Sequence, residues 1–195
     1  MNTFINDRVR ILNVEVLSDN WYILKKTTFE FQRADGSWQL LSRETYDRGN
    51  GAVILPFNRQ QKTVLLTRQF RYPAFVNDHS GMLIEACAGL LDARDPVSAI
   101  QAEAEEELGY RLSSVHKIFE AFMSPGSVTE RLYFFIAEYD SAAKVSEGGG
   151  QIAEGEDVGV LELSFSDALR MVASGEIMDA KTIMLLQYAQ LHSLF

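Results

Sequence analysis

The run Gly89-Leu90-Leu91-Asp92-Ala93-Arg94-Asp95-Pro96 leads through Val97 and Ile100 into Ala102-Glu103-Ala104-Glu105-Glu106-Glu107-Leu108-Gly109-Tyr110. A glycine-bearing loop is followed here by a short predicted helix in which carboxylates recur at i, i+3 and i+4. At about 100° per residue, Glu103, Glu106 and Glu107 share an arc of roughly 100°. Like charges at that spacing weaken a helix by about 0.2–0.5 kcal/mol per pair, so they make better sense with a cation to neutralise them. Val97, Ile100, Ala104 and Leu108 form a narrow apolar stripe on the opposite edge, suited to a core. Asp95 is placed to N-cap the helix, Pro96 suits its first position, and Gly109 suits a left-handed C′ residue. Taken alone, the same helix also reads as an ordinary Glu-rich surface helix.

Composition narrows the choice. At 195 residues and 47% hydrophobic, the chain can form one compact domain with a core and a small appendage. Cys87 is the single cysteine, so no disulfide framework is expected, and a reducing cytoplasm fits. Residues 1–20 hold no long apolar run, so neither a signal peptide nor a membrane span is expected. A net charge of −9 argues against a general nucleic-acid binder. It also constrains any phosphate chemistry. An acidic pocket holds a pyrophosphate only where divalent cations and a few Arg or Lys residues bridge the two.

The elements read as α+β. Strand signals lie near 9–17, 21–33 and 37–46, with Asp35-Gly36 as a hairpin turn between the second and third. Further strands are expected at 52–57 and 63–69, paired as a hairpin, and at 82–87, which leads into the glycine loop. Residues 72–81 read as a loop. After the acidic helix come strands near 114–122, 131–139 and 158–163, then helices near 165–174 and 180–193. Gly148-Gly149-Gly150 opens what reads as a flexible acidic loop running to Asp157.

The acidic helix and its loop resemble the signature of the Nudix hydrolases, which reads Arg-Glu-apolar-x-Glu-Glu-x-Gly-apolar. Ala102 stands where the family has Arg, and Asp95 where it has a loop Glu, one residue closer to the helix. The resemblance implies an α/β/α sandwich with a mixed sheet, here preceded by an antiparallel N-terminal arm. Residues 1–48 would form the arm and 49–195 the hydrolase domain. The runs Arg43-Glu44-x-Tyr46-Asp47-Arg48-Gly49-Asn50-Gly51, Arg68-Gln69-Phe70-Arg71, Met123-Ser124-Pro125-Gly126 and Asp179-Ala180-Lys181-Thr182 are similar to the nucleoside-diphosphate-sugar branch. That branch implies a homodimer built by the arm. It also implies hydrolysis of a nucleoside diphosphate sugar, with GDP-mannose as the leading substrate and ADP-ribose as the alternative. A non-catalytic nucleotide-sugar-binding domain is a further alternative, favoured only by Ala102 and Asp95.

Hydrolysing a P–O–P link needs charge neutralised on the phosphates, an oriented water and a base. Glu103 and Glu107 lie one turn apart and can ligate one hard cation, Mg²⁺ or alternatively Mn²⁺. By resemblance, the Ala88 carbonyl and Glu156 complete that site, and Glu106 serves a second ion or supports the first. The resemblance makes Glu154 the base, with another carboxylate of the acidic loop left open. It also implies substrate contacts at Trp21, Arg43, Glu44, Arg71, Gly89, Leu90, Glu130, Gly155 and Lys181. Trp21 reads equally as a core or interface residue. Lys181 in the first turn of a helix is opposed by the helix dipole, a mild hint of function. His79, His116 and His192 have no metal-ligand spacing.

Overall fold

The computed structural model describes residues 6–195 except Ile152 and Glu154. Its contacts divide the chain into two compact units, one comprising the arm up to Gly49 with Ser124–Glu130, the other Asn50–Met123 with Arg131–Phe195.

In the first unit, β1 (Val9–Asp19), β2 (Ile23–Gln32) and β3 (Trp38–Asp47) form an antiparallel sheet in that order. The β2–β3 turn works as its residues predict. The Asp35 carboxylate accepts from the Ser37 N–H at 2.9 Å, and Gly36 supplies a φ of 86°. Ser124–Glu130 joins β3 through a parallel bridge between Tyr46 and Val128.

The second unit is an α/β/α sandwich. Its seven strands are β4 (Gly51–Asn58), β5 (Thr63–Phe70), β6 (Met82–Glu85), β7 (Cys87–Leu90), β8 (Val115–Phe122), β9 (Arg131–Glu138) and β10 (Gly159–Ser164). The order is β10-β5-β4-β9-β8, with β6 paired to β5 and β7 to β4. Only β4–β9 is parallel, so the sheet is mixed. The helices are a single turn α1 (Tyr72–Phe75), α2 (Pro96–Glu103), α3 (Phe165–Ser174) and α4 (Ala180–Leu191).

Strand alternation builds two cores from one sheet. Val53, Leu55, Val64, Leu66 and Phe134 face Ala168 of α3 and Leu185, Leu186 and Ala189 of α4. Ala52, Ile54, Leu65 and Phe135 face Ile100 of α2 and the turn beyond it, with Ala104 and Leu108. The apolar stripe of the acidic helix is therefore a core face, except Val97, which is 39% exposed. Among the described residues, no helix is long and apolar enough to cross a membrane.

Three departures from the sequence expectation shape the site. β4 and β5 pair only at Phe57–Val64 and Asn58–Thr63, then splay apart, and β6 and β7 fill the gap in place of a full hairpin. Residues 82–87 are thus two strands broken at Ala86, and Gly89 and Leu90 belong to β7 rather than to a loop. The acidic helix does not stay α-helical either. Beyond Glu103 it widens into a π turn over Ala104–Leu108, closed by Gly109 at φ 78°. Lastly, Gly148–Gly150 is anchored rather than free. Gly149 N–H donates to the Glu107 carbonyl at 2.9 Å and Gly150 N–H to the Glu106 carbonyl at 3.3 Å, satisfying acceptors that the helix end leaves open.

Candidate active site

Asp95 caps α2 as its position predicts, its carboxylate accepting from the Val97 and Ser98 N–H groups at 3.1 Å each. Hydrogen bonding from Ser98, through its side chain first and then its N–H, together with the Val97 N–H holds its pKa below the usual carboxylate range. Asp95 is thus committed to starting the helix.

The π turn determines where the glutamates go. Glu107 is 3% exposed, and its Oε2 is buried without a hydrogen-bond partner. Burial, and then the charge of Glu156, push its pKa up to about 7 against the pull of Cys87, Arg71 and the Ala88 backbone. Glu103, half-buried, is likewise raised to about 7, first by burial and then by Glu107, Glu106 and Glu156, with Arg94 opposing. Gly89 lets β7 approach this carboxylate, since a Cβ there would stand 2.2 Å from Glu103 Cδ. Glu156 is tied back to its own loop, accepting from the Gln151 N–H at 2.9 Å. Glu103, Glu106, Glu107, Glu156, Ala88 and Gly89 thus share one region. Among the described residues, no three acidic, His or Cys side chains already converge as a closed metal cage. The unpartnered Oε2 and the mutual repulsion still fit a hard divalent cation, because carboxylate and carbonyl oxygens are its preferred ligands.

Cationic side chains stand beside this acidic group. Glu85, at the end of β6, is 2% exposed. It receives Arg71 Nε on Oε1 at 2.7 Å and Arg71 Nη2 on Oε2 at 3.2 Å. Lys181 Nζ donates to Glu85 Oε2 as well, and to Asp179 Oδ1 at 2.8 Å. Burial raises the Glu85 pKa, but the hydrogen bond from Arg71 and the charges of Lys181 and Arg71 outweigh it, and the net shift is downward. Burial also opposes the Arg71 charge, and Glu85, with the more distant Glu107 and Asp179, more than restores it. Asp179 caps α4 through the Thr182 N–H at 3.0 Å, while Thr182 Oγ1 accepts from the Ala86 N–H at 2.6 Å. The dipole penalty on Lys181 is therefore met by two carboxylates.

The remaining expectations fall into three groups. Leu90 is half-buried and paired with Gly51, and Gly155 sits in a turn at φ 79°. Glu154 lies outside the described residues. Trp21, Arg43, Glu44 and Glu130 belong to the first unit. Trp21 is in the β1–β2 turn rather than a strand and is 81% exposed, which removes the core reading. Its ring meets Tyr22 edge-on at 6.2 Å. Arg43 and Glu44 lie exposed on β3, and Glu130 pairs with Arg48 at 3.5 Å.

Sequence reasoning missed Glu85, and it quoted Arg94, Asp179 and Thr182 within motif runs without giving them a role. The available signal was Glu85 itself, one charge inside the apolar run Met82-Leu83-Ile84-Glu85-Ala86-Cys87. A separate cavity of about 530 Å³, lined by Gln61, Lys62, Ser164, Phe165 and others, carries no acidic side chain and is not a candidate.

Comparison with known proteins agrees with this geometry. Residues 47–182 match the NUDIX domain, and residues 8–46 match the GDP-mannose pyrophosphatase NudK N-terminal domain. The chain is 53% identical over 183 residues to a GDP-mannose pyrophosphatase of Klebsiella pneumoniae, covering 93% of this chain and 91% of that one. It is 55% identical over 187 residues to one from Yersinia pestis, covering 94% and 93%. A crystal structure of an ADP compounds hydrolase superposes with a TM-score of 0.71 at 16% identity, covering 95% of this chain and 96% of that one. The acidic helix, the carboxylate it buries without a partner and the sandwich that carries it have one common explanation: the chain belongs to the NUDIX family.

Proposed function

We propose that this protein hydrolyses the pyrophosphate bond of GDP-mannose, releasing GMP and mannose 1-phosphate. Nudix hydrolases generally depend on a divalent cation, and we assign Mg²⁺, with Mn²⁺ as a substitute. The observation that carries this is the Glu107 carboxylate, buried and unpartnered on Oε2, with Glu103 beside it at a raised pKa. Ionised, such a pair is unfavourable unless a cation neutralises it.

In this reading the Ala88 carbonyl, Glu103, Glu107 and Glu156 hold the metal, and Glu106 supports it or serves another ion. When bound, the metal neutralises phosphate charge and lowers the pKa of water. Arg71 and Lys181 take up phosphate oxygens, and Gly89, Leu90 and Gly155 let the backbone approach the substrate. Trp21, exposed in its turn, suits stacking on the base, while Arg43, Glu44 and Glu130 contact the sugar or base. We retain Glu154 as the base on the strength of the resemblance alone.

The identity to GDP-mannose pyrophosphatases favours GDP-mannose over ADP-ribose, because the structural neighbour is similar in fold only. We further propose a homodimer formed through the arm, residues 1–48, with 49–195 as the hydrolase domain. β1 supports this, as an edge strand exposing Ile11, Leu12, Val14, Val16 and Leu17. The buried free thiol of Cys87 fits a reducing cytoplasm.

The test is product release from GDP-mannose, ADP-ribose and UDP-glucose with Mg²⁺, with and without chelator. Chelator-sensitive turnover fastest on GDP-mannose is expected. Preference for ADP-ribose would reassign the substrate, and tight binding without turnover would make the chain a sensor.

A further inference from the structure

Glu85 has no part in the reading above, yet Arg71 and Lys181 meet on its carboxylate. We propose that Glu85 is a positioning residue that fixes Arg71 and Lys181 as a single paired clamp for the substrate's phosphates. The inference rests on the assignment of Arg71 and Lys181 as phosphate contacts.

Geometry gives the first reason. Glu85 engages Nε and Nη2 of Arg71, a bidentate grip that fixes the plane of the guanidinium. Among the described residues, Arg71 Nη1 makes no hydrogen bond, and the side chain is still 40% open. Lys181 spends two donors on Glu85 and Asp179, which leaves one of its three. Each cation is thus anchored at its back and keeps a donor whose direction is set.

Energetics give the second reason. A carboxylate only 2% exposed bears a large desolvation cost, and buried ion pairs often stabilise no more than apolar side chains of the same volume. Stability is a weak explanation for a charge at this place. Orientation is a stronger one, because a flexible Lys and a long Arg lose freedom before the ligand arrives rather than on binding. Position supplies the third reason. Glu85 ends β6, and across Ala86 begins β7, the strand that carries Ala88 and Gly89 to the glutamates. The Ala86 N–H bond to Thr182 ties that junction to the first turn of α4, where Lys181 sits. The clamp and the metal-binding residues are therefore referenced to one short backbone segment.

The proposal runs against simple charge counting. Glu85 and Asp179 balance Arg71 and Lys181, so Glu85→Gln leaves one extra positive charge and by field alone should tighten binding of an anionic substrate. Loss of positioning predicts the opposite.

The experiment is steady-state kinetics of the intact chain with GDP-mannose at saturating Mg²⁺. It compares Glu85→Gln, Arg71→Ala, Lys181→Ala and the double variant Arg71→Ala/Glu85→Gln. Glu85→Gln is expected to raise KM by about tenfold while kcat stays within about threefold, the scale of one charged hydrogen bond. In the Arg71→Ala background the same change should add little, since the group it orients is gone. A KM that is unchanged or lower in Glu85→Gln, while Arg71→Ala and Lys181→Ala raise theirs, overturns the positioning role and leaves the site assignment standing. If Arg71→Ala and Lys181→Ala leave KM unchanged, the assignment itself fails, and the inference with it. Should Glu85→Gln not fold, Glu85→Asp carries the test, because it keeps the charge while a side chain one methylene shorter is withdrawn from the shared grip on Arg71 and Lys181. A several-fold rise in KM at an unchanged unfolding midpoint supports the clamp, and an unchanged KM overturns it.

Discussion

Glu107 sets stability against chemistry. A buried carboxylate oxygen without a partner costs about 1–3 kcal/mol. Glu107→Gln should therefore reduce turnover by about a hundredfold or more, while raising the unfolding midpoint of the metal-free protein by a few degrees. Kinetics and thermal unfolding on the same preparation check both halves, and near-normal activity would sink the metal assignment. The pH dependence follows from the same groups. Glu103 and Glu107 titrate at about 7 in the fold, against an ordinary 4.5, so the folded state binds more protons than the unfolded state between those values. Their contribution to stability is complete below about pH 4.5 and is lost as pH rises through about 7. Without divalent cation, the unfolding midpoint should fall between about pH 5 and 8. Glu107→Gln should flatten that slope, and Mg²⁺ should restore the midpoint at the high end, since ligands bind deprotonated. A midpoint indifferent to pH and to Mg²⁺ would remove both carboxylates from the site.

At the scale of elements, the acidic helix is held at its end by the glycine segment that follows the 3-10 turn at Ser141–Ala143. Gly148 adopts φ 68°, and a Cβ there would lie 2.3 Å from the Glu107 carbonyl oxygen. Gly148→Ala must push this backbone off the π turn. A loss of metal affinity of about tenfold, read by titrating activity with Mg²⁺, is the expected result. Full affinity in that variant would show that the strap does not hold the glutamates in place. Much of this element was legible in the chain. Asp95, Pro96 and Gly109 mark the helix ends because capping is local chemistry. The π turn and the anchoring of Gly148–Gly150 were not legible. Both depend on which distant N–H groups reach the helix carbonyls, and periodicity carries no record of that. The break at Ala86 was hidden for the same reason, since an apolar run reads alike whether it pairs with one strand or is shared between two.

At the scale of the whole molecule, the arm leaves more apolar surface open than an isolated sheet tolerates. Ile11, Leu12, Val14, Val16 and Leu17 are all exposed along one edge strand. Val14→Lys should leave the fold of the chain unchanged, because Val14 is 51% exposed within it. It should halve the mass measured by light scattering and lower activity several-fold. A fully active monomer would refute the shared assembly, and an unchanged mass would move the contact off β1.

The layers of the sandwich came from the family resemblance; the sequence by itself determined most of the strands and helices, the helix ends, and the clustering of Glu103, Glu106 and Glu107 on the acidic helix. These follow from alternation, capping and charge spacing, all of which act over a few residues. Only the tertiary structure decided that Glu107 is buried without a partner, that Gly89 admits the Glu103 carboxylate, and that Glu85 joins Arg71 to Lys181. Desolvation and ion pairing depend on what stands within a few ångströms. Residues 71, 85 and 181 come that close only once β5, β6 and the start of α4 have packed.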